Sequence, residues 1–93
     1  MAEVKDNPAL RRFELELPGA LAFVDYRRDG KLVTLLHAEV PPQFEGKGYG
    51  SALMKGTLDL LRAEGSSVVP RCSFAAAYIR RHKDYQDLVA RQA

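Results

Sequence analysis

The sequence has little cysteine, little histidine and no long apolar run, and each shortage excludes a class of protein. One cysteine in 93 residues excludes an intramolecular disulfide and a Cys-based zinc cluster, and two histidines do not supply a structural metal site. No apolar run approaches the roughly twenty residues that span a bilayer, and the polar residues 1–8 lack the apolar core of a signal peptide. We therefore expect no membrane association and a reducing, cytoplasmic compartment.

Neither sign of charge is in large excess, because 14 Lys and Arg residues stand against 12 Asp and Glu residues. A domain held to nucleic acid by phosphate contacts normally carries a denser basic stripe, so nucleic acid is not an expected partner. Hydrophobic residues make up 46% of the chain, which is too many for intrinsic disorder. We predict one domain over residues 1–93, with residues 1–9 as a flexible N-terminus and an oligomeric state that the sequence leaves open.

Three strands are predicted in the first half of the chain. Apolar and polar residues alternate over Arg12–Leu17, which is the period of a half-buried strand. Further strands are predicted over residues 20–28 and 31–40, joined by a hairpin turn at Asp29-Gly30, a pair of residue types that favours the turn conformation required there. The three strands should therefore pair antiparallel.

Two helices are predicted in the second half. Apolar residues at helical spacing favour a helix over residues 51–64, and a short strand over Ser67–Pro70 follows it. After a crossover helix this strand should lie parallel to the third strand. Ser73 is the predicted N-cap of a second helix, which turns Phe74 inward, and a short turn is predicted over residues 85–90. The pattern indicates an α/β fold with a mostly antiparallel sheet and two main helices.

The most informative feature is the glycine-rich segment Glu45-Gly46-Lys47-Gly48-Tyr49-Gly50 between the third strand and the first helix. Alternate glycines let a ligand approach the main chain closely, and the N–H groups at a helix N-terminus favour phosphate or diphosphate. The three glycines could equally serve a tight connection between strand and helix. The residues by themselves leave both interpretations open.

Residues 40–53 resemble the acetyl-CoA loop of the GNAT acetyltransferases, and residues 69–74, 78–79 and 85–88 resemble small GNAT-like proteins called N-acetyltransferase domain-containing. The resemblance implies a minimal GNAT-like acyl-CoA N-acyltransferase fold, acetyl-CoA or CoA as cofactor, and an amine acceptor. The cofactor contacts that it implies are Val40, Glu45, Gly46, Lys47, Gly48, Tyr49, Gly50, Ser51, Ser73 and Tyr78. One residue departs from the family pattern: Glu45 stands where many GNAT proteins carry Arg or Gln, and a carboxylate repels a diphosphate.

Cys72 is a candidate nucleophile because it lies near a predicted helix N-terminus and beside Arg71, and both favour the thiolate. Free cysteine is also a common buried filler. The resemblance implies a catalytic or acyl-accepting role for it.

His37 and Glu39 are two residues apart on a predicted strand, so they share a face just before the loop. An imidazole and a carboxylate there could deprotonate an acceptor amine, or the pair could be a polar surface contact.

Acetyl transfer from acetyl-CoA to an amine, either directly or through an acyl-Cys72 intermediate, is the function that the resemblance implies. Two other functions stay open at this point. The chain could bind CoA without catalysis, for which the carboxylate of Glu45 is an argument, or it could be a small interaction domain whose glycines serve only the fold.

Overall fold

A computed structural model of the chain describes residues 3–91. Five strands form one sheet in the order β1-β2-β3-β4-β5, and all neighbours are antiparallel except β4 and β5, which are parallel. The elements in chain order are β1 Lys5–Asn7, β2 Arg12–Leu17, β3 Ala20–Asp29, β4 Leu32–Glu39, a 3₁₀ turn at Pro42–Phe44, α1 Tyr49–Glu64, β5 Ser67–Pro70, α2 Ser73–Arg81 and a 3₁₀ segment at Lys83–Leu88. The predicted α/β architecture is confirmed.

Both helices cover the same face of the sheet. Helix α1 packs against β2, β3 and β5, and α2 packs against β4 and β5. The buried apolar side chains form one cluster between the layers, which consists of Phe13, Leu15, Leu17, Ala22, Val24, Tyr26, Val33, Leu35, Leu53, Met54, Leu58, Leu61, Val68, Cys72, Ala75, Tyr78, Ile79, Tyr85 and Leu88. The opposite face of the sheet carries exposed or half-buried side chains such as Glu16, Phe23 and Thr34. Alternation along β2 and β3 therefore gives one core face and one outer face.

Strands β4 and β5 pair only along the first half of β4. Their parallel pairing runs from Leu32 opposite Ser67 to Leu35 opposite Pro70, and β4 then continues to Glu39 paired only with β3. The chain leaves β5 at Arg71 and Cys72, whose N–H groups both donate to the Leu35 carbonyl. A gap thus opens beside residues 36–39 of β4, at the ends of β4 and β5 from which α1 and α2 start.

The N-terminal segment differs from the prediction of a flexible N-terminus over residues 1–9. Lys5–Asn7 pairs with β2 as an edge strand, while Met1 and Ala2 lie outside the described residues. Val4 explains why this segment lies against the rest of the fold, because it packs directly on Gly56 in α1. A Cβ atom built at Gly56 would lie only 2.4 Å from Cγ2 of Val4. A glycine in the middle of a helix thereby lets the N-terminal segment lie close to the helix backbone.

Helix α1 begins at Tyr49, two residues before the predicted start, and ends where predicted at Gly65, whose N–H donates to the carbonyls of Arg62 and Leu61. At 16 residues it is the longer of the two α-helices. Within residues 3–91 no helix has the length and apolar character needed to cross a membrane.

A polar network ties the N-terminal strand, the β3–β4 hairpin and the end of α1 together. Arg28 Nη1 donates to Glu64 Oε2 over 2.5 Å, Lys31 Nζ donates to the Glu64 carbonyl over 2.7 Å, and the Tyr26 hydroxyl donates to Asp6 Oδ1 over 2.6 Å. Arg28 also lies 3.7 Å from Asp6. The network is partly exposed, so each pair contributes modestly.

Stability should fall at acid pH in part through Glu64. Burial raises the pKa of this carboxyl, but hydrogen bonds from Arg28 and Ser66 outweigh burial and hold the pKa below its ordinary value of 4.5. Because the folded pKa is the lower one, the stabilisation is complete above pH 4.5 and is lost as the pH falls through the folded pKa. We expect Glu64→Gln to lower stability at neutral pH and to flatten this fall, measured as urea midpoints against pH.

The matched control for this prediction is Glu16→Gln on the exposed outer face, which should leave the pH profile unchanged. The Asp59 and Asp87 carboxyls also have lowered pKa values, so Glu64→Gln removes only part of the fall. An identical slope in Glu64→Gln and the parent protein would contradict the assignment.

Thr57 is the one fully buried polar side chain in residues 3–91 whose oxygen has no hydrogen-bond partner. An unpaired buried hydroxyl costs about 1–3 kcal/mol, and valine has the same shape and a similar helix propensity. We expect Thr57→Val to stabilise the protein by about 1 kcal/mol and to raise the melting temperature by about 4–8 °C. Thr57→Ser, which keeps the hydroxyl and loses the methyl group, should destabilise it, and a loss of stability in Thr57→Val would mean that the hydroxyl is paired.

Candidate cofactor site

The loop between β4 and α1 is built from a 3₁₀ turn followed by glycines. The Phe44 and Glu45 N–H groups donate to the carbonyls of Pro41 and Pro42, which closes the turn. Gly46 and Gly48 then take φ angles of 77° and 84°, a left-handed conformation that costs other residues about 1–2 kcal/mol. Two of the three glycines are therefore required by the backbone of the loop.

Within residues 3–91, the main-chain N–H groups after this turn make no hydrogen bond of normal distance and angle, although residues 45–48 form a turn. The Glu45 N–H is used by Pro42, and the next N–H to find a main-chain acceptor is that of Ala52, which donates to the Gly48 carbonyl. Between them, in the described part of the chain, the N–H groups of residues 46–51 donate to neither main chain nor side chain. Helix α1 has no side-chain N-cap bond and no acidic residue in its first turn. An anion can accept hydrogen bonds from these N–H groups, and the helix dipole favours a negative charge at this position.

A cavity of about 370 Å³ adjoins the free N–H groups. One part of its wall is polar main chain from the loop and the start of α1. The rest is mostly apolar and comes from the end of β4, from α1 and from α2. The lining residues are Ala38, Glu39, Val40, Phe44, Glu45, Gly46, Gly48, Gly50, Ser51, Leu53 and Phe74. The arrangement can hold a ligand with an anionic group at one end and a less polar arm at the other.

Glu39 and Glu45 are the two acidic residues among those that line the cavity. His37 lies beside Glu39, with 3.6 Å between His37 Nε2 and Glu39 Oε1, and each side chain is 60% exposed. His37 itself does not line the cavity. The predicted pair thus exists, and of its two residues only Glu39 is among those that line the cavity.

A β-bulge determines on which face of the sheet the side chains of His37 and Glu39 lie. Tyr26 pairs with Leu35 and Asp25 pairs with His37, so Leu36 is an extra residue in β4. Leu35 is buried, and simple alternation would bury His37 as well. The extra residue shifts the alternation by one and turns His37 and Glu39 to the exposed side.

Comparison with known proteins bears on this loop and cavity. A family model described as GCN5-related N-acetyl-transferase matches residues 12–88, which include the loop and both helices. The chain belongs to the GCN5-related N-acetyltransferase family. The resemblance seen in the sequence is thereby confirmed.

A solved structure supports the same family at the level of the fold. The chain is similar to the NMR solution structure of a "GCN5-like putative N-acetyltransferase" from Staphylococcus aureus, with 25% sequence identity and a TM-score of 0.73 over 99% of this chain and 91% of that one. The predicted minimal GNAT-like fold is confirmed. Enzymes of the GNAT family generally take acetyl-CoA as acetyl donor, and family and fold together suggest acyl transfer for this member.

Within this GNAT fold Cys72 lies at the start of α2, at the edge of the gap between β4 and β5. It is the N-cap residue of α2, its side chain is 7% exposed, and it is not among the residues that line the cavity. Ser73, predicted as the N-cap, is instead the first helical residue. The prediction for Ser73 was wrong by one position, because the chain stays extended through Cys72, whose N–H bonds to Leu35 of β4.

Three other predicted contacts of the GNAT site lie outside the cavity wall. Lys47 is exposed, with Nζ 6.0 Å from the centre of the Phe44 ring. Tyr49 packs edge-on against the same ring. Tyr78 is buried and stacks on His82, with 4.0 Å between ring centres, and burial raises its pKa. Of these three side chains, Lys47 carries the positive charge that suits an anionic ligand, and it is exposed.

Sequence reasoning missed four lining residues, Ala38, Phe44, Leu53 and Phe74. Phe74 was predicted to face inward, and that prediction was wrong. Its side chain is 38% exposed and lies against α1, while Ala75, Tyr78 and Ile79 fill the core. The helical period places Ala75 and Phe74 on adjacent faces, so a shift of one position reverses their roles.

Proposed function

We propose that the chain binds acetyl-CoA through the main-chain N–H groups of residues 46–51 and transfers the acetyl group to an amine. The observation that carries the proposal is the run of free N–H groups at the start of α1, beside a cavity between the diverging strands. A helix start without an acidic residue or a side-chain cap suits a diphosphate. The family membership supports the same donor.

The protein's own residues suit direct transfer. Acetyl-CoA, when bound, supplies a thioester whose carbonyl carbon an amine can attack with release of the CoA thiol. Glu39 is the one residue of the predicted catalytic set that lines the cavity, and its exposed carboxylate accepts the proton that the acceptor nitrogen loses. Direct transfer needs this base, whereas an acyl-Cys72 route would require the buried thiol to reach the thioester.

Calorimetric titration with CoA and with acetyl-CoA tests the proposal. Saturable binding of both is expected, weakened by salt because the ligand is anionic. Absence of binding at millimolar ligand would refute the site and leave a domain whose glycines serve only the fold.

A second candidate function is CoA binding without catalysis. The observation that favours it is that neither Cys72 nor His37 lines the cavity. Thermal stabilisation by CoA without turnover over a broad panel of amines would select this function. Release of free thiol with any amine of the panel would select the enzyme.

Glu45→Gln should bind CoA as well as the parent protein or up to about fivefold more tightly. Two unit charges 4 Å apart repel by about 1 kcal/mol in water, which corresponds to about fivefold in affinity. The gain should shrink in high salt. Glu16→Gln on the outer face serves as the control of equal charge change, and a large loss of affinity in Glu45→Gln would assign the carboxylate a positive role in binding.

A further inference from the structure

The face of the sheet opposite the helices carries a group of charged and aromatic side chains next to the cavity. Both helices cover the core face, which leaves this outer face without a helix in the described part of the chain. Cross-strand partners share a face of a sheet, and all six side chains of this group are exposed or half-buried. We call them the outer patch, which consists of two rows across β2, β3 and β4: Arg12, Asp25 and His37 in one row, and Glu14, Phe23 and Glu39 in the other.

Side-chain contacts show that the outer patch is one continuous surface. The Arg12 guanidinium carbon lies 4.7 Å from the centre of the Phe23 ring, and the ring centres of Phe23 and His37 are 6.4 Å apart. Arg12 Nε donates to Glu14 Oε2 over 2.6 Å. Charged groups therefore surround an aromatic ring.

The charge of the outer patch is opposite in sign to that of the whole chain. Three carboxylates and one guanidinium give the patch a net charge of −2 when histidine is counted as neutral, whereas the chain carries +2. Glu14 is already paired with Arg12. Among residues 3–91, neither Asp25 nor Glu39 forms a salt bridge with a Lys or Arg side chain, and the near neighbour of Glu39 is His37 at 3.6 Å. Two carboxylates are thus left for a cationic partner.

One end of the outer patch coincides with the edge of the cavity. Glu39 pairs with Phe23 on the outer face and also lines the cavity. At this residue β4 no longer pairs with β5, so the two sides of the sheet adjoin at the gap between these strands. A partner bound on the outer patch therefore lies directly beside the candidate base.

We propose that the outer patch docks a positively charged peptide segment and that a lysine of this segment is the acetyl acceptor. The docking stands by itself, whereas the role as acceptor rests on the proposed function. The patch spreads over three strands of a sheet, and such a surface suits a peptide because small molecules bind in concave sites. A second copy of the chain is a poor occupant, because a two-fold contact through this patch would bring like charges together.

The docked lysine suits direct transfer. Its ammonium group loses one proton to water, and the neutral nitrogen then forms the amide bond while the thioester C–S bond breaks. The carboxylate of Glu39 accepts the second proton of the nitrogen, and the sulfur leaves as the CoA thiolate.

The test is an NMR titration of the isotope-labelled protein, without CoA, with a short blocked peptide of alternating lysine and glycine. The main-chain signals of residues 23–25 and 37–39 should shift, and added salt should weaken the binding. Asp25→Lys should lower the affinity by at least about tenfold, because each unit charge at 4 Å contributes about 1 kcal/mol in water and the substitution reverses one. Asp25→Asn should lower it by up to about fivefold and replaces Asp25→Lys if that variant fails to fold.

Glu16→Lys is the matched control. Glu16 lies on the same face of β2 but pairs with Leu21, outside the outer patch. The charge change is the same, and screening over about 8 Å at physiological salt should limit its effect to about twofold. A peptide with glutamine in place of lysine should not bind.

A second readout is acetylation of the lysine peptide. Asp25→Lys should raise the KM for the peptide by at least about tenfold and leave kcat and the affinity for acetyl-CoA unchanged, because it removes docking and not chemistry. If the parent protein binds the peptide but no CoA, the proposed function and the acceptor role fail while the docking stands. If CoA binds but the peptide shifts other signals, or if Asp25→Lys and Glu16→Lys behave alike, the docking is overturned.

Two rival occupants have their own outcomes. Shifts at the outer patch that depend on protein concentration without peptide would assign the surface to a second copy of the chain. Equal affinity for spermidine and for the peptide would assign it to a small amine. Either result overturns the inference.

Discussion

Replacing Ser51 by aspartate (Ser51→Asp) is expected to weaken CoA binding by at least about thirtyfold. The melting temperature should be kept or raised by up to about 5 °C. Ser51 is the third residue of α1 and lines the cavity, and the first turn of this helix holds no acid. A carboxylate in the first turn interacts favourably with the helix dipole by about 0.3–1 kcal/mol. The nearby Glu39 and Glu45 offset part of this gain.

The same carboxylate opposes a diphosphate in two ways. It competes for the free N–H groups, and it repels each unit of ligand charge by about 1 kcal/mol in water and about 4 kcal/mol at an effective dielectric constant of 20. With two opposing charges a loss of at least about thirtyfold in affinity follows.

Calorimetry gives the affinity and thermal unfolding without ligand gives the stability. The control is Ser51→Asn, because asparagine has nearly the same shape as aspartate and carries no charge. This variant should bind CoA nearly as well as the parent protein. An acidic residue in the first turn would stabilise the helix but repel an anion. Its absence from α1 is therefore expected if this helix start binds anions. If Ser51→Asp binds CoA normally, the diphosphate does not lie at the start of α1.

The parts of the site that could be predicted from the sequence are those that depend only on residues close together in the chain. Gly46 and Gly48 serve the backbone angles of their own loop, and the free N–H groups follow from a helix that starts directly behind it. Pairing of β2, β3 and β4 could likewise be predicted, because alternation and the Asp29-Gly30 turn act between adjacent segments.

The parts that could not be predicted depend on contacts between distant segments. The position of Phe74 is matched to a missing side chain at Gly50, and the order of the N-terminal strand depends on Val4 packing on Gly56. Neither glycine reveals from its neighbours in the sequence which side chain will approach it. At Gly56 the signal is an isolated glycine inside a helical pattern, which indicates a close approach without naming the partner. Gly50 stands among the loop glycines before the predicted helix, so nothing in the sequence distinguishes its role from theirs.

The bulge at Leu36 likewise could not be predicted from the residues around it. Strict alternation from Val33 would place Glu39 on the core face, and only the pairing with β3 shows the extra residue. The extra residue places Glu39 opposite Phe23 on the outer face instead, at the edge of the cavity where β4 no longer pairs with β5. The position of the candidate base is thus a consequence of strand pairing.

Glu39→Gln is expected to lower the kcat of amine acetylation by about 100-fold or more, while Cys72→Ala keeps most of the parent activity. A positioned general base contributes about 10²- to 10⁴-fold, and the carboxamide cannot accept the proton. CoA affinity in Glu39→Gln should be unchanged or slightly higher, since a carboxylate is removed from the cavity wall. The measurement is thiol release from acetyl-CoA with amines that the parent protein accepts, followed against pH.

Cys72→Ala separates the direct route from the covalent one. The Cys72 side chain is 7% exposed and its residue does not line the cavity, so its loss should cost stability through lost packing rather than turnover. Glu16→Gln controls for the loss of a carboxylate elsewhere on the protein. If Cys72→Ala loses activity as completely as Glu39→Gln, and mass spectrometry finds an acetyl group on Cys72 of the parent protein after mixing with acetyl-CoA, then transfer runs through the thiol and the buried side chain must become accessible during the reaction.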